Sequence, residues 1–290
     1  MSIIQTESQK GNGLSIKKIC EALSVSRSFY YRYSASPKVK QKARDSILLP
    51  EIEKAVLVKR KYGYRRVTRY LRENGHIVNH KRVLRVMRAE KLLCKRKKKF
   101  VKTTDSNHSG KIYPNVAKGL VLQGINQLWV SDITYIRVGG IFVYLAVILD
   151  VYSRRCVGWS MDRTLEASLP LKALEKAISE RQPNGSLVHH SDRGVQYASK
   201  DYTAMLKKNG ITISMSRKGN PYDNAYAESF IKTIKYEEVY LYDYQSLREA
   251  KESVREYIQE IYNKDRYHSG IGYQSPEDFE KNLTKLEAIA

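Results

Sequence analysis

Only three cysteines occur among 290 residues, Cys20, Cys94 and Cys156, and none belongs to a Cys-x-x-Cys pair. An odd number of widely spaced thiols gives no disulfide framework, so reduced packing residues in a cytosolic compartment are expected. Also missing is any run of eighteen consecutive apolar residues, which argues against a membrane-spanning helix. The opening Met1-Ser2-Ile3-Ile4-Gln5-Thr6-Glu7 lacks the basic-then-apolar order of a secretory signal, so neither a membrane protein nor a secreted one is expected. No heptad run marks a long coiled coil, and no repeat of fixed period is visible beyond two helical units.

Acidic residues are scarce in one half only. Residues 1–120 carry 30 Lys and Arg against 8 Asp and Glu, whereas residues 121–290 carry 22 of each, so the whole net charge of +22 is N-terminal. A field of that size in one segment attracts a polyanion, and nucleic acid is the expected one. Ribosomal, acidic-protein and lipid surfaces are the alternatives, and a lipid surface would need an amphipathic anchoring helix that the sequence lacks.

From Leu14 to Tyr33 the apolar spacing predicts a short helix, a turn at Leu23-Ser24-Val25-Ser26 and a second helix from Arg27. A second unit reads as a helix over Arg65–Glu73, a stop at Asn74-Gly75-His76, and a helix capped by Asn79 that runs to about Glu90. Val83, Leu84 and Met87 are expected to face its core and Lys81, Arg82, Arg85 and Arg88 to face outward. Two such helix-turn-helix units within a cationic segment point to DNA; taken singly, each is equally a helical hairpin with charged faces. A basic run over Lys95-Arg96-Lys97-Lys98-Lys99 and a polar linker over Thr103–Gly110 follow.

From Gln127 the pattern turns strand-like: Trp129–Ile136, Ile141–Asp150 and Cys156–Ser160, joined by turns at Gly139-Gly140 and near Ser153–Arg155, which predicts three antiparallel strands. A helix over Leu165–Arg181, a strand over Leu187–His190, a helix over Lys200–Lys208, a strand over Ile211–Met215 and a helix over Asp223–Tyr236 complete a mixed five-stranded sheet covered by helices.

Asp132 stands mid-strand, where a buried face would carry an apolar residue. Asp192 follows a short apolar strand, a position where sites gather on open sheets, and Gly194 permits a sharp turn after it. Glu228 falls on the helix after Gly219-Asn220-Pro221-Tyr222-Asp223, with Asp223 as a candidate cap. Singly, the three acids read as a carboxylate paired with an Arg, a turn residue and a solvated helix face. Converging, they would repel one another unless cations neutralised them, and then make sense as a cage for hard divalent metals such as Mg²⁺. His76 and His80, with Cys94 beyond them, supply part of a zinc site, but no second cysteine stands near to complete a tetrahedron. His190 is a candidate for orienting groups around Asp192. Trp129 and the 22 tyrosines are candidate stacking surfaces for unpaired bases.

The runs Trp129–Tyr135, His190–Tyr197, and Ser214–Asn224 through Glu228-Ser229-Phe230 closely resemble bacterial insertion-sequence transposases of the integrase-like DDE class. So do Tyr62-Gly63-Tyr64-Arg65-Arg66, Tyr262-Asn263 with Arg266-Tyr267-His268, Gly272-Tyr273 and Ser275-Pro276. Thirty-five residues separate Asp192 from Glu228 and Lys235 follows Glu228 by seven, as in that family.

The resemblance implies an α/β, ribonuclease-H-like catalytic core over 123–240. Before it would lie helix-turn-helix regions over 1–43 and 44–100 and a linker over 101–122, and after it a helical extension over 241–290. It further implies that Asp132, Asp192 and Glu228 bind two Mg²⁺ ions, with Mn²⁺ as a substitute, for strand cleavage and strand transfer. Arg65, Arg66, Lys81, Arg82, Arg85, Arg88 and Lys235 are the expected DNA contacts. The expected partners are double-stranded DNA, as terminal inverted repeats and target, and further copies of the chain. Family members often carry an upstream-frame segment with another helix-turn-helix and a leucine zipper; this chain has no such zipper, so it reads as the downstream product and that upstream protein as a further partner. A bacterial cytoplasmic, nucleoid-associated location follows. A non-catalytic DNA-binding regulator and a nuclease that hydrolyses without joining are the rival readings.

Overall fold

The computed structural model describes residues 15–34, 37–59, 61–94, 111–183, 185–217 and 220–287. The basic run at 95–99 and the stretch 103–110 lie outside them. The chain divides into two compact units, residues 1–95 and 96–290.

In the first unit, α1 (Ile16–Ala22) and α2 (Arg27–Ser34) have the predicted limits. The Ser15 hydroxyl accepts the Lys18 amide at 3.4 Å and the Ser26 hydroxyl the Phe29 amide at 3.2 Å, so a serine opens each helix. Ile19, Cys20 and Tyr30 bury together between them. A 22-residue helix, α3 (Pro37–Val58), carries Pro50 in its interior and runs through the division expected at residues 43 and 44. It packs on α4 (Tyr64–Glu73) and α5 (His80–Ala89). Asn79 caps α5 as expected, its side-chain oxygen accepting the Lys81 amide at 2.8 Å. Between α4 and α5 the chain turns at Gly75 (φ +84), and the Arg72 guanidinium donates to the Val78 carbonyl at 3.0 and 3.1 Å. Val83 and Met87 are buried as predicted, but Val86 is fully inside and Leu84 only half so.

The second unit is built on a sheet of β1 (Leu128–Val138), β2 (Ile141–Asp150), β3 (Cys156–Asp162), β4 (Val188–Ser191) and β5 (Thr212–Met215), in the spatial order β3-β2-β1-β4-β5. β1, β2 and β3 are antiparallel neighbours, while β4 runs parallel to β1 and β5 parallel to β4. This is the ribonuclease-H-like topology. Helices α6 (Ser168–Arg181) and α7 (Lys200–Lys208) cover one face, where Ala173, Leu174, Ala177 and Leu206 meet Trp129, Ala146 and Ile148. Gly158 makes the approach of α6 possible, since a Cβ there would collide with the Ala173 carbonyl. On the other face lie α8 (Ala225–Glu237), α9 (Leu247–Glu256) and a π-helical turn over Tyr257–Tyr262. Phe230, Ile234, Val254 and Ile258 pack there on Val130, Leu145 and Val147.

The segment after residue 240 is part of this core. Asn263 bonds the backbone of Cys156 on the edge strand through both its amide atoms, each at 3.0 Å. Glu280 on α10 (Pro276–Glu287) receives Arg181 at 2.8 Å and Arg155 at 3.0 Å. Residues 111–122 also lie on the core, with the Val116 and Ala117 amides donating to the Ser214 hydroxyl at 3.0 and 3.2 Å. Trp129 is fully buried and donates its indole N–H to Asn126 at 3.2 Å, so it offers no stacking face. Among the described residues no helix is long and apolar enough to cross a membrane.

Candidate active site

Strand pairing determines where the first two acids meet. The β1–β4 ladder pairs Leu128 with Val188, Trp129 with His189 and Val130 with His190, and no pair follows. Asp132 and Asp192 each stand two residues beyond that last pair. Asp132 is still on β1, while Asp192 is the first residue after β4, so both stand just past the point where the two neighbouring strands stop pairing. Val130 faces the α8 side of the sheet, so the same alternation turns Asp132 toward α8. The third acid arrives with that helix. A 3₁₀ turn over Pro221–Asn224 leads into α8, and Glu228 lies in its first turn. Asn224 is buried and its side-chain amide donates to the Ser131 carbonyl at 2.9 Å. One hydrogen bond therefore ties the start of the Glu228 helix to the residue before Asp132.

The electrostatics agree with this convergence. Burial, followed by the charge of Asp192 and then that of Glu228, pushes the Asp132 carboxyl up to about 8, while the Ile133 amide and Lys235 oppose the rise. The Ile133 amide donates to Asp132 at 2.8 Å and the Gly194 amide to Asp192 at 2.9 Å, fixing one oxygen of each. A Cβ on Gly194 would stand 3.0 Å from that Asp192 oxygen, so any larger residue would press on the carboxylate. Partial burial raises Glu228. Lys235, two turns after Glu228, holds its ammonium 4.3 Å from the centre of the Tyr135 ring; burial lowers its pKa and the Asp132 charge raises it. Among the described residues, no group of three or more His, Cys, Asp or Glu is arranged to hold a metal ion as it stands. Asp132 and the two carboxylates whose charges act on it are nevertheless a donor set of the hard, anionic kind that divalent cations require. Asp150 is different: it accepts the Asn126, Tyr152 and Ser153 amides at 2.5 to 3.0 Å, so its acceptor capacity goes to a turn.

Several expectations change. Asp223 does not cap α8; it pairs with Arg217 at 3.2 Å, and that contact holds its carboxyl down at about 2. His190 bonds the hydroxyls of Ser214 at 2.8 Å and Ser216 at 3.0 Å, bridging β4 and β5. Because Ser214 already accepts two amides, its own proton goes to Nδ1 of His190, which leaves a neutral ring donating from Nε2 to Ser216. Burial lowers His190 accordingly. Of the residues expected to face outward on α5, Lys81, Arg85 and Arg88 are exposed and Arg82 is half-buried, and Arg82 and Arg85 also pair with Asp45 of α3 at 2.9 and 2.8 Å. Arg65 is exposed; Arg66 is half-buried, with its guanidinium 4.5 Å from the Tyr62 ring centre. Asn224 escaped the sequence reading, because its partner lies 93 residues away and only its place in the Pro221–Asn224 run could have marked it.

Residues 123–221 and 209–276 match the integrase core domain family, and residues 42–100 match an HTH-like domain. An uncharacterized 31 kDa protein of insertion element IS600 from Shigella sonnei is 39% identical over 272 residues, covering 93% of this chain and 100% of that protein. The transposase InsF of insertion sequence IS3A from Escherichia coli K12 is 37% identical over 278 residues, covering 93% and 95%. A transposase of element IS904 from Lactococcus lactis is 38% identical over 245 residues, covering 83% and 96%. With the integrase core on the ribonuclease-H-like sheet and relatives matched over nearly their whole length, the chain belongs to the insertion-sequence transposases.

Proposed function

We propose that the chain binds the terminal inverted repeats of its element, cuts a DNA strand beside them and joins the 3′ end to target DNA, with Asp132, Asp192 and Glu228 as the catalytic acids. The observation that carries this reading is the end of the parallel ladder at Val130 and His190, with Asn224 bringing the Glu228 helix to the same place. A half-buried carboxyl under the charge of two more carboxylates is poorly placed alone and well placed with divalent cations. Asp132, Asp192 and Glu228 would hold Mg²⁺, or Mn²⁺ in its stead. Such ions, when bound, activate the attacking oxygen and stabilise the leaving oxygen in displacement at phosphorus. The chain's own part is to orient the acids through the Ile133 and Gly194 amides, and to present the Lys235 ammonium to a DNA phosphate as a point charge.

Duplex binding falls to the basic first unit. Lys81, Arg88 and Arg65 are exposed for phosphate contact, and Arg82, Arg85 and Arg66 serve from partly engaged positions. The active species is an assembly of several copies on DNA in the bacterial cytoplasm, at the nucleoid, with the upstream-frame protein of the element as a further partner. Asp132→Asn is the test. It should abolish cleavage and joining in Mg²⁺ while leaving DNA binding intact, and cleavage that persists would remove Asp132 from the site. Supplying a pre-cut end separates a transposase from a nuclease, because only the former joins it to target. Wild-type protein that binds DNA without cutting or joining it would instead be a regulator.

A further inference from the structure

Exposed aromatic rings gather beside the acidic cluster. The tip of the β1–β2 hairpin is docked on the segment after α8 by the Gly139 amide, which donates to the Tyr244 carbonyl at 2.8 Å. Gly139 has φ +51, and a Cβ there would stand 3.0 Å from the Gln245 carbonyl, so this approach requires glycine. Tyr135 and Phe142 of the hairpin lie edge to face with centres 5.1 Å apart, and Tyr236 and Tyr240 do the same at 5.5 Å. Tyr240 lies within electrostatic reach of both Tyr135 and Tyr236, joining the two pairs. Tyr242 stacks on the buried Tyr244. Phe142 is 54% exposed, Tyr240 37% and Tyr242 47%, so the cluster is a surface and not a core.

Its border is cationic. The Lys235 ammonium lies 4.3 Å from the centre of the Tyr135 ring and its charge also acts on Asp132, so one cation stands between the aromatic rings and that acid. Arg137, paired across the ladder with Phe142, is exposed, as is Lys232 one turn before Tyr236; the exposed acids nearby in sequence are Asp243 and Glu249, the latter accepting the Gln245 amide at 2.8 Å. Flat π-faces held rigidly beside ammonium and guanidinium groups suit a ligand with both a planar ring and a phosphate. A stacked duplex cannot offer its base faces, but a frayed or cut end can.

We propose that this shelf binds unpaired nucleobases at a DNA end and thereby leads the adjoining phosphate to the acidic cluster, an inference that rests on the transposase reading of those acids. The test uses the full chain and a short duplex, blunt or carrying a few unpaired nucleotides with 2-aminopurine among them. Wild type should prefer the unpaired end and change the probe's fluorescence. Phe142→Ala with Tyr240→Ala should lower affinity for the unpaired end roughly five- to hundredfold and abolish the fluorescence change, by the ordinary worth of base–aromatic stacking. Tyr240→Phe should retain both, and blunt-duplex affinity should not move. An unaltered preference in the double variant overturns the proposal. So does a changed hydrodynamic size with an unaltered preference, which would make the shelf a protein contact. Asp132→Asn should keep the preference yet lose strand cleavage. Wild type that discriminates ends but never cleaves would fail the transposase reading and spare the shelf.

Discussion

Asp132→Asn should make the metal-free protein more stable while destroying its activity. In the folded chain burial and the charges of Asp192 and Glu228 raise this carboxyl from 3.8 to about 8. A folded pKa above the unfolded one means that the folded state binds the proton more tightly. Ionisation therefore costs no stability below about pH 4, costs progressively more between 4 and 8, and reaches its full cost above 8. At pH 7 the difference corresponds to a ceiling of about 4 kcal/mol, at 1.4 kcal/mol per pH unit. Water reaching the half-buried carboxyl and rearrangement of Glu228 screen part of it, leaving an expected gain of about 1–3 kcal/mol. Asparagine preserves the shape and can still accept the Ile133 amide, so the charge alone is removed.

The assay is thermal unfolding of the metal-free variant and wild type at several pH values, followed through the catalytic unit. At roughly 2–4 °C per kcal/mol, Asp132→Asn should melt several degrees higher at pH 8 and together with wild type near pH 4. Added Mg²⁺ or Mn²⁺ should raise the wild-type midpoint and leave the variant's nearly unchanged, because ligand binding stabilises only the state that binds it. A variant less stable than wild type at pH 8, or an advantage equal at pH 4 and pH 8, would refute the convergence of the three acids.

Asn224→Ala should lower the rate of strand cleavage about tenfold to a hundredfold with DNA affinity unchanged, as measured by single-turnover kinetics beside equilibrium binding, since misplacing a reacting group by about 1 Å has that effect. Glu280→Gln removes the carboxylate shared by Arg155 and Arg181 and should destabilise the catalytic unit by about 1–3 kcal/mol, read by denaturant unfolding, because the largely buried Arg181 loses its ion-pair partner while Arg155 keeps Glu180. Burial lowers His190 and takes His189 to about 3, from a usual 6.5. Depressed folded values make stability complete above pH 6.5 and progressively lost below it; replacing His189 with a neutral isostere should flatten the acid limb of the unfolding profile. If the basic first unit neutralises six to ten phosphates, DNA affinity should fall by roughly a thousand- to a hundred-thousandfold between 50 and 200 mM salt. A flat salt response in a filter-binding titration would contradict that assignment.

What the sequence revealed of this fold is what local chemistry determines. The limits of α1, α2 and α7 and the cap on α5 were legible because serine and asparagine caps and apolar spacing act within a few residues. Helix α3 was not: Pro50 reads as a breaker, and a 22-residue stretch of mixed charge shows no single apolar face until α4 and α5 pack against it. The same reason explains Arg82 and Arg85, which look solvated on their own helix but meet Asp45, about forty residues earlier. At the site, residue types and spacing indicated the three acids, yet the spacing of Asp192 and Glu228 says nothing about which strand lies beside which. That knowledge sits in the pairing of Val130 with His190 and in the Asn224 bond, both between residues at least 60 positions apart. Trp129 shows the converse error, since an aromatic residue near a candidate acid suggests a stacking surface only until strand alternation sends it to the opposite face. Tyr240 and Phe142, which no motif singled out, become a surface because one glycine lets a hairpin tip touch the loop between α8 and α9.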